Sequence, residues 1–284
     1  MSVNATELDA LRREIDEIDD RLHDLLMRRA AIGEHVARVK GPGNWPVNHI
    51  KPGREAAILR RLIARHSGPL PQGVVAGIWR ELISANCLIQ GPLSVAVNAP
   101  TRSVSYWDMS RRHFGQATPM TLHRSAQNVL RAVTGGQATI GILPLPQEGE
   151  EDPWWPQLAA GGGNMPQIIA RLPFVAQPSL LEPVAGFVVT MVPPEPSGDD
   201  VSLLAISVTE QVSRGRLAEL LQQAGLTGYS LASRRDADGG AELHLMAVAS
   251  FVAREDARLE HFLELARSSV QAVVPIGAYA TPLS

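Results

Sequence analysis

The sequence predicts a multidomain chain in three parts: an all-α helical module over residues 1–91, a reduced α/β lobe over 92–195, and an α+β, ferredoxin-like domain over 196–284. Three observations carry this. Apolar residues at Leu11, Ile15, Ile18, Leu22, Leu25, Ile32 and Val36 recur at steps of four and three with one interruption, the spacing of one face of a long helix. At Pro92 the pattern changes to short apolar runs alternating with helical stretches. From residue 202 onward the elements read βαββαβ, the ferredoxin-like order.

Residues 6–40 read as one helix of about 35 residues, capped by Asn4 or Thr6 and stopped by Gly41-Pro42-Gly43. At ~1.5 Å per residue it is roughly 50 Å long, too long to stand without a partner helix. Residues 42–52 read as a Pro/Gly loop and 53–66 as a second helix, broken by Ser67-Gly68-Pro69-Leu70-Pro71. A third helix covers 72–90 and ends at Gly91-Pro92. Beyond it, strands are expected at 94–97, 140–145, 168–175 and 185–192, and helices at 108–114 and 122–135. The Gly-, Pro- and Trp-rich stretch 146–165 reads as a loop, and 193–200 as a linker. Then come strands at 202–208, 228–235, 241–249 and 271–275, helices at 213–224 and 254–267, and a turn at 236–240.

Composition narrows the function. With 26 Lys+Arg against 29 Asp+Glu, the charge balance gives no case for a nucleic-acid partner. No apolar run reaches the ~18–20 residues that span a bilayer, so no membrane partner is expected. The polar, acidic opening MSVNATELDALRREIDE is unlike a secretory signal. Cys87 is the single cysteine, so no internal disulfide forms and a reducing cytoplasm is the expected location. No metal or cofactor is expected. Only Lys40 and Lys51 are lysines, both in the first fifth of the chain.

Arg29 is the informative oddity. The step of four from Leu25 lands on it, placing a cation on the apolar seam. A buried charge is costly unless paired, and no carboxylate of this segment supplies the partner along the seam. A pocket for an anionic ligand follows. Lys40 lies 11 residues on, ~20° away around the helix and ~16 Å along it, so the two side chains can converge on one small ligand. Arg12 is roughly 25 Å from Arg29 and ~100° around. If it contacts a ligand, it serves a second copy of the site, which predicts a dimer with antiparallel long helices. On the third helix Asn86 and Gln90 continue the stripe of Trp79 and Ile83, and on the second Glu55 aligns with Ile58 and Leu62, next to Arg54. Each has a plain alternative: Arg12 and Arg54 solvated at helix starts, Asn86 bonded to a neighbouring helix, Gln90 at a frayed end.

The stretches ALRREIDEIDDRLHDLLMRRAAIGEHVARVK, KPGREAAILRRL and GPLPQGVVAGIWRELISANCLIQ resemble the all-helical chorismate mutases, most closely the mutase module of bifunctional chorismate mutase–prephenate dehydratases. The resemblance covers residues 6–90 and implies an all-α helical dimer in which each site takes one arginine, here Arg12, from the other chain. It places Arg29, Lys40, Arg54, Glu55 and Gln90 at active-site positions, with Asn86 where relatives often carry serine. Lys51 or His49, in the poorly matching loop 41–53, stands where the family has a residue near the substrate hydroxyl. The implied reaction is the intramolecular rearrangement of chorismate to prephenate, in aromatic amino acid biosynthesis. Arg12 and Arg29 would clamp the carboxylates, Lys40 and Gln90 would donate to the breaking ether oxygen, and Glu55 and Asn86 would orient the ring hydroxyl.

Residues 93–192 resemble a reduced prephenate dehydratase lobe through LSVAVNAPTRSVSYWDMSRRHFG and AVTGGQATIGILPLPQEG. They depart from it at Ala99–Ser105, where the family has a GPEGTFS-like run, and at Pro144-Leu145-Pro146-Gln147, where it has a PIEN-like run. The Thr-Arg-Asp/Phe motif has no match near Ala170–Phe174 or Phe187. Residues 202–282 resemble an ACT domain through LLAISV, GRLAELLQQAGL and IGAYATPL. There Gly215-Arg216-Leu217 and Ala232-Ser233-Arg234-Arg235 replace the phenylalanine-binding turns. The expected function is therefore a mutase without dehydratase activity or phenylalanine feedback, its ACT-like domain serving dimerisation or scaffolding. The alternatives are a working bifunctional enzyme, a non-catalytic regulatory protein that binds an aromatic-pathway ligand, and an isochorismate–pyruvate lyase on the same scaffold.

Overall fold

In a computed structural model of the chain, residues 5–41, 49–99, 104–161, 164–176, 184–209, 212–235, 242–267 and 269–283 are described. The helical part consists of α1 (Ala5–Lys40), α2 (Pro52–Ala64) and α3 (Gln72–Gln90). Thr6 lies inside the first turn of α1 rather than at its cap, and Asn4 is outside the described residues. Pro52 opens α2, where a missing N–H costs nothing.

The apolar seam of α1 is open in the single chain. Leu25 is 60% exposed and Ile32 57%. The face that meets α3 lies beside the seam and runs through Arg29, Gly33, Ala37 and Lys40, all buried or half-buried. Gly33 is required there: a Cβ on it would sit 1.9 Å from the Asn86 Oδ1 of α3.

Among the described residues, the strands form one nine-stranded sheet in the order β2-β1-β3-β5-β4-β9-β6-β8-β7. Its first half comprises β1 (Val95–Asn98), β2 (Met120–His123), β3 (Ile140–Pro144), β4 (Gln167–Leu172) and β5 (Gly186–Thr190). Strands β1, β2 and β3 pair in parallel, whereas β5 runs antiparallel to both β3 and β4. The helices here are α4 (Val104–Phe114), α5 (Ala126–Thr134) and α6 (Trp155–Ala160). The second half comprises β6 (Asp200–Val208), α7 (Arg214–Gln223), β7 (Gly228–Arg235), β8 (Glu242–Val248), α8 (Ala257–Leu265) and β9 (Val270–Ala280). Its strand order β9-β6-β8-β7 is that of a ferredoxin-like unit. Leu204, Ile206, Met246 and Val248 face α7 and α8 from this half, and Leu217, Leu221 and Phe262 meet them.

The linker expected at 193–200 does not separate two sheets. Strand β9 runs beside β4 in parallel, with Ile168 opposite Gly277. Gly277 has φ +150°, and a Cβ there would lie 2.3 Å from the Ile168 carbonyl oxygen. Only glycine lets the two halves close edge to edge.

Three expectations about elements change. The helix expected at 122–135 is β2 followed by α5, because Thr121 and Leu122 pair with β1 and the Ser125 hydroxyl caps the helix by accepting from Asn128 N–H. The expected loop 146–165 contains α6, anchored by fully buried Trp154 and Trp155. The Trp154 Nε1–H donates to the Pro144 carbonyl at 3.2 Å. Strand β9 continues past the expected end at 275 to Ala280, because Pro275 and Gly277 read as breakers yet sit at an irregular register and at the seam with β4. The turn expected at 236–240 lies outside the described residues.

Candidate active site

The face between α1 and α3 collects most of the residues singled out in the sequence. The Arg29 Nη1 donates to the Leu82 carbonyl of α3 at 3.1 Å, a carbonyl rather than a carboxylate. Four residues along α1, Gly33 packs on the Asn86 amide. The Gln90 Nε2 donates to the Asn86 carbonyl at 3.1 Å. The side-chain oxygens of Asn86 and Gln90 are buried without a hydrogen-bond partner. Two such acceptors one turn apart on α3 are costly.

At the end of α1, Lys40 sits against the start of α2. Its ammonium is held below the ordinary lysine value of 10.5, first by burial, then by Lys51 and, more weakly, by Arg54; Glu195 and Cys87 act in the opposite direction. Lys51 occupies the cap position of α2 and is ion-paired with Glu195. Arg54 follows in the first turn, exposed. Loop residues 42–48 lie outside the described residues, and His49, at their edge, is buried.

Glu55 has a partner that the sequence reading did not give it. The Arg80 Nη1 donates to Glu55 Oε2 at 2.8 Å, and the Arg80 Nε donates to the His113 carbonyl at 2.8 Å. Both charged side chains are largely buried, Arg80 at 8% and Glu55 at 18% exposure. His113, half-buried beside this guanidinium, has its imidazole held well below the ordinary histidine value, by burial first and Arg80 second. A cavity of about 30 Å³ lies under the pair, between Cys87, Phe114 and Ile169. That holds a water or two, not a ligand.

Cys87 lies among Glu55, Arg80, Lys40 and Arg29, which ties these four charges to one neighbourhood. Its thiol is pushed up to about 12, by burial first and Glu55 second. The thiolate is the reactive form. The expected result is that the native protein resists a thiol-specific reagent at pH 8 and that one thiol per chain reacts after denaturation. Rapid native labelling would contradict this environment.

Arg12 is apart from all of these. It is exposed, pairs with Asp9 at 3.2 Å, and stands about 25 Å up the same helix from Arg29. Arg29, Lys40, Arg54, Glu55, Asn86 and Gln90 thus share one end of the bundle, and Arg12 does not. Arg80 and Glu195 were missed. Arg80 had a signal: with Ala76, Ile83 and Cys87 it steps by four, three and four along the buried face of α3. It is a cation on a core stripe, as Arg29 is. Glu195 had none, because its place depends on how a distant linker folds.

Comparison with known proteins finds likenesses for the helical module. Residues 11–91 match the family described as chorismate mutase type II. Among characterised proteins, the chain is 34% identical over 143 residues to the bifunctional chorismate mutase/prephenate dehydratase of Pseudomonas aeruginosa, covering 49% of this chain and 39% of that one. It is 32% identical over 145 residues to the enzyme of the same name from Stutzerimonas stutzeri, covering 50% of this chain and 39% of that one. The matches therefore span about two fifths of the length of these relatives. Among solved structures, prephenate dehydratase from Streptococcus mutans aligns with a TM-score of 0.46 at 14% identity, over 68% of this chain and 100% of that one. Among the described residues, no helix is long and apolar enough to cross a membrane.

Proposed function

We propose that this chain is a chorismate mutase: it rearranges chorismate to prephenate without a cofactor, as a homodimer in the cytoplasm. The observation that carries the reading is the face formed by Arg29, Lys40, Asn86 and Gln90, within the segment that matches the mutase family. The substrate is a dianion, and its rearrangement needs no nucleophile and no proton transfer. The site must fold the substrate into its reactive shape and stabilise negative charge on the breaking ether oxygen. Arg29 takes a carboxylate as a bidentate partner. Lys40 and Gln90 donate to the ether oxygen, and burial makes the Lys40 ammonium a more acidic and so stronger donor. Asn86 meets the ring hydroxyl. Glu55 has Oε2 on Arg80, so Oε1 is the oxygen that serves this hydroxyl.

The exposed seam of α1 supports the dimer. Two antiparallel copies bury Leu22, Leu25 and Ile32 against one another and carry Arg12 of one chain toward Arg29 of the other. The ferredoxin-like half adds scaffolding to the same assembly. The test is to incubate the protein with chorismate, and separately with isochorismate, and identify the products by chromatography. Prephenate supports the reading; pyruvate with salicylate from isochorismate would point to the lyase, phenylpyruvate to a working bifunctional enzyme, and no product to a binding protein. Mixing Arg12→Ala chains with Arg29→Ala chains tests the shared site. Each mixed dimer holds one intact pocket, so activity returns on mixing; if the site lay within one chain, it would not.

A further inference from the structure

The linker after β5 lies along α2 as a strap. Its Asp200 carboxylate fixes the turn, accepting from Ser197 N–H at 2.8 Å, Ser197 Oγ at 2.6 Å and Gly198 N–H at 3.1 Å. Arg60 of α2 donates to the Ser197 and Asp199 carbonyls at 3.2 and 2.7 Å and to the Thr281 carbonyl at 3.2 Å. At the other end of α2, Gly53 has no side chain where the Glu195 and Pro196 carbonyls press closest. A Cβ there would meet them at 3.1 and 2.9 Å. The strap therefore holds the Glu195 backbone in place, and the Glu195 carboxylate lies on the Lys51 ammonium.

That ammonium is badly placed for a helix cap. A cation at a helix N-terminus opposes the helix dipole, and Lys51 also faces Lys40. Without a carboxylate it would turn toward whatever anion occupies the α1–α3 face. We propose that Glu195, which lies outside the matched mutase segment, is a positioning residue of the mutase pocket: its carboxylate holds Lys51 back, so that the dianion registers on Arg29 and Lys40. The proposal rests on the mutase reading above. In an intramolecular rearrangement the enzyme contributes geometry and field, and a small misplacement of the substrate lowers turnover without weakening its binding.

The experiment uses the full-length chain and chorismate. Glu195→Gln is expected to lower kcat about tenfold, with KM unchanged or lower because the freed cation still binds the dianion. Glu195→Asp retains most of kcat. In the Lys51→Ala background, Glu195→Gln has no further effect beyond twofold. Helical signal and melting temperature stay near wild type, since a half-exposed ion pair adds little stability. Three results overturn the proposal: kcat of Glu195→Gln within twofold of wild type, the same loss with and without Lys51, or loss of the helical fold in Glu195→Gln. Wild-type protein that forms no prephenate overturns the mutase reading and this proposal together. Wild-type turnover with an indifferent Glu195→Gln overturns this proposal alone.

Discussion

Replacing Lys40 or Arg29 by alanine is expected to lower chorismate turnover by ~10²–10³, about 3–4 kcal/mol of barrier, which is what removal of one preorganised donor to a developing oxyanion costs. The two variants should differ in kind. In the proposed mechanism Lys40 donates to charge that appears only in the transition state, so its loss should fall mainly on kcat. Arg29, in the same proposed mechanism, holds a carboxylate present throughout, so its loss should fall on KM as well. Neither should unfold the helices: Lys40 ends α1, and Arg29 is tied to α3 by a hydrogen bond to one carbonyl. Steady-state kinetics with circular dichroism on the same samples checks this, and near-wild-type turnover in either variant would remove the assignment. The wild-type pH profile carries a matching signature. A lowered Lys40 pKa means that its proton is lost at lower pH than from an ordinary lysine. Activity should therefore fall on the alkaline side before 10.5 is reached, with Lys51, Arg54, Glu195 and Cys87 as the surrounding groups.

Arg80→Met should be the most destabilising single change near the site. Removing one partner of a buried ion pair leaves the other charge without compensation and costs about 3–5 kcal/mol. Here it also removes the shorter of two donors to the His113 carbonyl at the joint between α3 and α4, leaving only the Ser84 hydroxyl at 3.4 Å. For a chain of this size, that lowers the melting temperature on the order of 10 °C. The double variant Arg80→Met/Glu55→Leu should recover most of the lost stability, because it removes both charges together, but none of the turnover, because Glu55 is gone. Differential scanning calorimetry decides it. An Arg80→Met protein that melts with wild type would mean that the pair contributes nothing to the fold.

Much of this arrangement was legible in the sequence wherever periodicity was long. The seam of α1, the ends of α2 and α3, and the βαββαβ order are repeated patterns over many residues, and they appear in the structure. The grouping of Arg29, Lys40, Asn86 and Gln90 at one end of the bundle came from the same helical arithmetic. What periodicity could not reach were short or long-range features. Strand β2 has four residues and α6 has six, too few to show a period. The pairing of Glu55 with Arg80 and of Lys51 with Glu195 depends on tertiary placement across 25 and 144 residues.

The Ile168–Gly277 seam has a mechanical consequence. Enzymes that close a cleft between two lobes do so about a few residues that absorb large backbone rotations. The β4–β9 pairing makes the strands of residues 95–280 one hydrogen-bonded plate, with no joint of that sort across it. The strap bolts α2 to this plate through Arg60 and Lys51, and Arg80 fastens α3 to it through α4. The α2 and α3 side of the helical module is therefore tied to the sheet at several points. If the proposed pocket opens, the movement falls to the other side, the half of α1 that meets α3 through Gly33, Ala37 and the single Arg29–Leu82 hydrogen bond.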